Sequence, residues 1–210
     1  MSFYRSVKRG LDLLVSSVGL VVVAPVLLPA AAAVRLFIGS PIVFRQERAG
    51  LGGKPFGLIK LRTMRDETGP DGRPLPDDER VTAVGSFLRR TSIDELPQLW
   101  NVLRGEMSLV GPRPLLVEYL PLYNAEQTRR HLVKPGITGL AQVNGRNSLN
   151  WEERFEFDVR YVDRASFAED LRILGATFVS VVSGEGIGHA GGVGMPRFTG
   201  TPEPTETLTP

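Results

Sequence analysis

The longest unbroken apolar stretch of the chain covers residues 13 to 34, which are 22 positions without a charge. A helix crosses a bilayer core in about 20 residues, so this run is long enough to span. It is longer than the apolar core of a cleavable signal peptide, and no small-x-small cleavage site follows it. Pro25 lies mid-run with Pro29 one turn on, which predicts a break at Ala24-Pro25. Arg5, Lys8 and Arg9 precede the run and Arg35, Arg45 and Arg48 follow it, so the preference of basic residues for the cytoplasm applies to both ends. The pattern predicts a re-entrant helix-break-helix over residues 1–38 that enters and leaves the membrane from one face.

Beyond residue 38 the apolar periods shorten. Residues 41–46 and Pro55–Leu61 are strand-like and are separated by Gly50, Gly52 and Gly53, which predicts a β-hairpin with a loose turn. Residues 66–80 show no apolar period and are rich in Asp, Gly and Pro, the composition of a mobile surface loop. Leu96, Leu99, Trp100 and Leu103 recur at helical spacing behind Ser92-x-x-Glu95, the arrangement of a capping box. Pro97 fits poorly with Ser92 as N-cap and better with Asp94 as N-cap, since proline is tolerated only in the first turn.

Short amphipathic helices are expected over residues 115–119 and 125–133. A longer one runs from Trp151 to about Tyr161, and another, opened by a second capping box at Ser166-x-x-Glu169, from about Phe167 to Val182. That last helix is too short to span, so it packs on the domain or lies in the interface. From residue 184 onward Gly, Pro and Thr dominate, and the last ten residues are expected to be disordered.

Composition narrows the chemistry. At 210 residues the chain allows one domain with a modest core. It has no cysteine and only His131 and His189, which rules out disulfides and thiolate metal sites and argues against a histidine-built zinc site. Any metal is then a hard, oxygen-bound ion, Mg2+ first. The net charge of +2, with no interleaving of aromatic and basic residues, gives no support for nucleic acid as a partner. Residues 1–60 carry eight Lys or Arg against only Asp12 and Glu47, which places positive charge around the apolar run as in proteins held at anionic membrane surfaces.

The candidate chemistry sits at residues 92–114. Asp94 and Glu95 are adjacent at a helix start, where the helix dipole favours ionised acids and bound phosphate. Gly111-Pro112-Arg113-Pro114 restricts the backbone on both sides of Arg113 and presents its donor fork with little freedom, as bidentate phosphate recognition requires. Two readings stand for the acids: helix caps, or a Mg2+-dependent site that handles phosphate. Lys60 and Arg62 read from pattern alone as charges guarding an edge strand. Arg89 and Arg90 lie close to the acids in sequence, one to meet a phosphate and the other solvent. The glycine-punctuated loop over residues 136–146 could hold an anion on its amides and Arg146. Trp151, Phe155 and Val162 share a helix face within about 40°, and Asp158 beside them needs a partner, with Arg154 or Arg160 the expected one. His131 reads as a packing or surface residue and His189 as inert.

The string Leu88-Arg89-Arg90-Thr91-Ser92-Ile93-Asp94-Glu95-Leu96-Pro97-Gln98-Leu99-Trp100-Asn101-Val102-Leu103-Arg104-Gly105-Glu106-Met107-Ser108-Leu109-Val110-Gly111-Pro112-Arg113-Pro114 resembles the core signature of the bacterial sugar transferases, the small monotopic phosphoglycosyl transferases. The resemblance extends from about Arg5 to Val182. It implies transfer of a sugar 1-phosphate from a UDP-sugar to undecaprenyl phosphate with loss of UMP, at the cytoplasmic face of a bacterial inner membrane, at the start of a surface glycan. It further implies that Asp94 is the nucleophile, that Glu95 helps hold Mg2+, that Lys60, Arg62, Arg89, Arg113 and Arg146 meet substrate phosphates, and that Asp158 belongs to the active site. The family usually has Ser-Pro at the membrane-helix break, where this chain has Ala24-Pro25. The implied fold is α+β and mainly helical, with a membrane element at 1–38, a catalytic domain at 39–184 and a tail at 185–210. A membrane-anchored pyrophosphate hydrolase using the same acids, and a non-catalytic scaffold of glycan assembly, are the competing readings.

Overall fold

The computed structural model describes residues 2–145, 148–183 and 196–201. Helix α1 runs over Ser2–Phe37 with Pro25 and Pro29 inside it. The expected break does not divide it: the chain is helical on both sides of Ala24-Pro25, and each proline removes one backbone donor from the helix. One stripe of α1 faces the rest of the molecule along its length, including Asp12, Ser16, Ala30 and Val34, with Ile38 just beyond its end. Near its start Tyr4 and Lys8 bond Asp170, and Arg9 donates to the carbonyls of Val102 and Leu103. Near its end Ala30, Val34 and Ile38 share a core with Leu61 and Leu88. The opposite face exposes Leu14, Val18, Val21, Val22, Val26 and Leu28. The helix is long and apolar enough to cross a membrane, and little of it is buried against the rest of the molecule.

The hairpin forms as the pattern predicts. Strands β1 (Val43–Ala49) and β2 (Pro55–Leu61) pair antiparallel with Val43 opposite Leu61 and Ala49 opposite Pro55. The segment after β2 is better tied than its composition suggests: the bridges Met64–Val81 and Thr68–Pro74 close it, and α2 (Asp77–Arg80) ends it. Asp66 there meets both Arg62 and Arg80.

Helix α3 (Ala83–Arg90) is capped by Thr82, whose hydroxyl accepts from the Gly85 amide. The capping box expected at Ser92 and Glu95 is absent. Ser92 sits in the left-handed region at φ 56°, Ile93–Glu95 form a single 3-10 turn, and α4 (Gln98–Arg104) begins only after Pro97. Proline stands at the N-cap, where its missing N–H costs nothing, and the acids lie in the turn ahead of the helix. The buried face of α4 is also rotated from the expected one: Gln98, Leu99, Asn101 and Val102 face inward while Trp100 is 51% exposed.

Strand β3 (Ser108–Val110) follows. A 3-10 stretch over Val117–Leu122 replaces the expected helix at 115–119, and α5 (Ala125–Thr128) continues into a 3-10 turn over Arg129–Leu132. Strand β4 (Gly136–Thr138) pairs parallel with β3, an element the sequence pattern does not reveal. Its glycines serve packing: a Cβ on Gly136 would lie 2.1 Å from the Gly111 amide nitrogen, and one on Gly139 2.1 Å from the Gly111 carbonyl oxygen. Helix α6 (Leu140–Val143) leads to α7 (Trp151–Arg164), capped by an Asn150–Glu153 box, and to α8 (Phe167–Ser183), whose Glu169 amide donates to Ser166 as predicted. Leu171, Phe178 and Val179 of α8 are exposed. His189 and most of the expected disordered tail lie outside the described residues, but Phe198 returns to pack on Tyr119, Trp151 and Phe155.

Candidate active site

The site forms where β2, α3 and the turn before α4 meet over the C-terminal half of α1. Asn101, 1% exposed, joins them. Its side chain accepts from the Ile59 amide at 3.1 Å and donates to the Gly57 carbonyl at 2.8 Å, so α4 binds the edge of β2 as another strand would. A second donation, to Glu106 at 2.7 Å, fixes the amide's orientation. The acids ahead of α4 are thereby held against the strand that carries Lys60.

Asp94 is 5% exposed, and its pKa is pushed up to about 6. Burial is the main cause and the neighbouring Glu95 adds to it, while Lys60, Arg113 and Arg89 pull the other way. Glu95 is handled differently. Arg113 donates to its two oxygens, at 2.5 Å and 3.4 Å, and that partnership raises the arginine's pKa. Among the described residues no ion pair holds Asp94. Its carboxylate thus lies near three cations without being tied to one of them.

The basic residues divide. Lys60 lies across β1 from Phe44 with its ammonium 5.5 Å from that ring, and burial lowers its pKa against the pull of Asp94 and Glu95. Arg89 donates from Nε to Thr63 at 2.8 Å and acts on Asp94, whereas Arg90 is exposed. Arg62 does not join them: it donates to the Ser40 carbonyl and pairs with Asp66 at 2.9 Å, because it lies past the end of β2 where the chain turns away. Arg146 lies outside the described residues.

Asp158 is buried, as its position on an apolar stripe requires; Arg130 forms the ion pair with it, and Arg154, one of the two expected partners, adds a second positive charge that acts on it. Arg130 holds one carboxylate oxygen through Nε at 3.0 Å and Nη2 at 2.7 Å, and Nη2 also donates to the Arg113 backbone carbonyl at 2.7 Å. The pair therefore fixes the backbone of the residue that grips Glu95. Burial raises the Asp158 pKa despite Arg130. His131 is buried with Nδ1 3.1 Å from the Gly50 carbonyl, and burial drops its pKa to about 4.

Asp94 and Glu95 offer hard oxygen donors, and among the described residues no group of three His, Cys, Asp or Glu forms a closed cage. That donor set fits Mg2+, which commonly takes one or two carboxylates and completes its shell with water and substrate phosphate.

Residues 3–184 match the family model described as bacterial sugar transferase. The chain belongs to the bacterial sugar transferase family. It is 55% identical over 194 residues, 92% of this chain and 96% of the relative, to a protein of Bacillus subtilis named as the uncharacterized sugar transferase EpsL. It is 45% identical over 186 residues, 84% of this chain and 70% of the relative, to the UDP-glucose:undecaprenyl-phosphate glucose-1-phosphate transferase of Caulobacter vibrioides. It is 38% identical over 196 residues, 85% of this chain and 87% of the relative, to the exopolysaccharide production protein ExoY of Rhizobium meliloti. The transferase is an enzyme of the phosphoglycosyl transferase class.

Pattern reading of the transferase missed Asn101, Arg130 and Thr63. Asn101 carried a signal, as a polar side chain one position before the fully buried Val102. Arg130 carried none, because it reaches Asp158 from 28 residues away.

Proposed function

We propose that this transferase moves a sugar 1-phosphate from a UDP-sugar to undecaprenyl phosphate through a covalent aspartyl intermediate. The observation that carries the reading is Asp94: buried, in no ion pair among the described residues, and set among Lys60, Arg89 and Arg113. Its carboxylate oxygen attacks the β-phosphorus of the donor. The bond from that phosphorus to the bridging oxygen breaks, and UMP leaves with the electron pair. The sugar phosphate remains as an acyl phosphate until a phosphate oxygen of the polyprenyl acceptor displaces the carboxylate. Lys60, Arg89 and Arg113 offset charge on the equatorial oxygens, and such positioning and electrostatics supply most of phosphoryl-transfer catalysis. Mg2+ held by Asp94 and Glu95 would reduce the repulsion between carboxylate and pyrophosphate.

The lipid acceptor requires the site to sit at headgroup level. Both the Tyr4 and the Val34 ends of α1 pack on the same globular body, which supports both ends lying on one side of the bilayer, taken here as the cytoplasmic one. α1 then enters and leaves a single leaflet, and the exposed faces of α1 and α8 are the surfaces in lipid.

Purified protein in detergent, given UDP-sugar, polyprenyl phosphate and Mg2+, should release UMP. With labelled donor and no acceptor it should retain sugar phosphate on the protein. Sugar phosphate set free into solution without lipid would point to hydrolysis instead, and retained label in Asp94→Asn would overturn the nucleophile.

A further inference from the structure

A second cavity, of about 360 Å3, opens where the first turns of α1 meet α7 and the segment before β4. It stands at the far end of α4 from Asp94: Arg9 on its wall bonds the last carbonyls of that helix, whereas Asp94 precedes the first turn. Its floor is apolar, formed by Val110, Val133 and Val162, and its rim is basic. Of the charged groups lining it, Lys8 is paired with Asp170 and Arg129 with Asp163. That leaves Arg5, Arg9 and Lys134 against Asp12, whose carboxylate already accepts from the Leu109 amide at 3.1 Å.

Two observations point to an anion as the ligand. The ammonium of Lys134 has no ion-pair partner among the described residues. It is drawn toward its neutral form by burial and by the like charge of Arg9, against the pull of Asp12, and both basic groups lie beside Gly105. Ser108 lines the same cavity, is 2% exposed, and its hydroxyl has no hydrogen-bond partner among the described residues. A buried hydroxyl without a partner is costly, and one that faces a basic cavity is placed to donate to an oxyanion. Leu132, 56% exposed, stands at the cavity, and the outward apolar face of α1 carries the surface on toward lipid.

We propose that this cavity holds the phosphate headgroup of an anionic membrane phospholipid, with Lys134, Arg9 and the Ser108 hydroxyl on the phosphate and the acyl chains leaving past Leu132 toward the apolar face of α1. A zwitterionic headgroup fits less well, because its own ammonium would meet the basic rim. The inference rests on the membrane placement of α1 and not on the chemistry at Asp94. The lipid bound here is a fixture that seats the N-terminal half of α1, separate from the acceptor.

Native mass spectrometry of the full chain released from nanodiscs tests it. With phosphatidylglycerol nanodiscs one lipid should remain bound, and with phosphatidylcholine alone none. Lys134→Gln should lower phosphatidylglycerol occupancy about fivefold, the effect of one basic group near a lipid phosphate, and Lys134→Arg should restore it. Ser108→Ala should weaken it by less, and circular dichroism checks that each variant is folded. Unchanged occupancy in Lys134→Gln overturns the proposal. So does displacement of the phosphatidylglycerol, one for one, by added polyprenyl phosphate, which would make the cavity part of the acceptor path, or by millimolar inorganic phosphate, which would make it a bare anion site. UMP release measured on the same preparations reports on the Asp94 site separately.

Discussion

Arg113 grips Glu95 through both terminal guanidinium nitrogens, at 2.5 Å and 3.4 Å, while Asp94 next to it has no comparable partner among the described residues. Two adjacent acids therefore stand in different surroundings: one is held by a guanidinium and the other is not. Lysine at position 113 keeps the charge but cannot span two oxygens. Arg113→Lys should lower the rate of UMP release by roughly tenfold to a hundredfold, a loss of about 1.5–3 kcal/mol for a charge-assisted bond. A rate within twofold of wild type would show that the fork is not used.

The raised pKa of Asp94 has a signed consequence. The folded group titrates near 6, above its ordinary value, so whatever it contributes to stability is present at low pH and lost as pH rises through 6. Asp94→Asn should be inactive yet more stable than wild type at pH 8, by about 2–3 kcal/mol at most. The difference should shrink between pH 6 and pH 4. Thermal melts of both proteins across that range provide the check, and kcat/KM of the wild type should fall below about pH 6.

Asn101 ties α4 to β2 with both ends of its amide. Asn101→Leu removes these bonds and leaves the Ile59 amide and Gly57 carbonyl short of partners, which should cost about 1–3 kcal/mol in denaturant unfolding. Turnover should drop more than stability predicts, because the same bonds set the distance from Lys60 to Asp94.

For Asp158 a pair of variants separates support from chemistry. Asp158→Ala leaves Arg130 buried without its counter-charge and should destabilise by about 3–5 kcal/mol. An Arg130→Met, Asp158→Leu double variant should regain much of that stability. If the carboxylate acts only by holding Arg113, part of the activity returns with it; if activity stays absent in a stable double variant, Asp158 meets the substrate.

His131 works in the opposite sense to Asp94. Its folded pKa near 4 lies below its ordinary value, so its contribution is present above about pH 6.5 and lost as pH falls toward 4. His131→Gln should flatten the acid side of the stability curve, as read by melting temperature from pH 7 to pH 4.

Much of this arrangement was legible in the sequence, for physical reasons. Strand alternation located the hairpin, and an uncharged run flanked by basic residues located the membrane helix. The adjacency of Asp94 and Glu95 with a proline-bounded Arg113 marked the site. What pattern could not supply was contact at long range. The parallel β3 and β4 pair depends on glycines that let two backbones touch, and Arg130 reaches Asp158 across a fold. Pro97 already argues against Ser92 as N-cap, but it displaces the helix start further than the Asp94 alternative allows, to Pro97 itself, and the left-handed turn at Ser92 has no signature in a serine. Arg62, given a substrate phosphate by the resemblance, lies just beyond the strand that carries Lys60 and pairs with Asp66 instead.

Ala30, Val34 and Ile38 form one core with Leu61 and Leu88, the immediate chain neighbours of Lys60 and Arg89. The greasy anchor is thus also the foundation beneath two of the cations facing Asp94. Cutting it away to obtain a soluble enzyme would expose that foundation to water and let both cations drift. For this architecture, depth in the bilayer and alignment of the reacting groups are a single mechanical quantity.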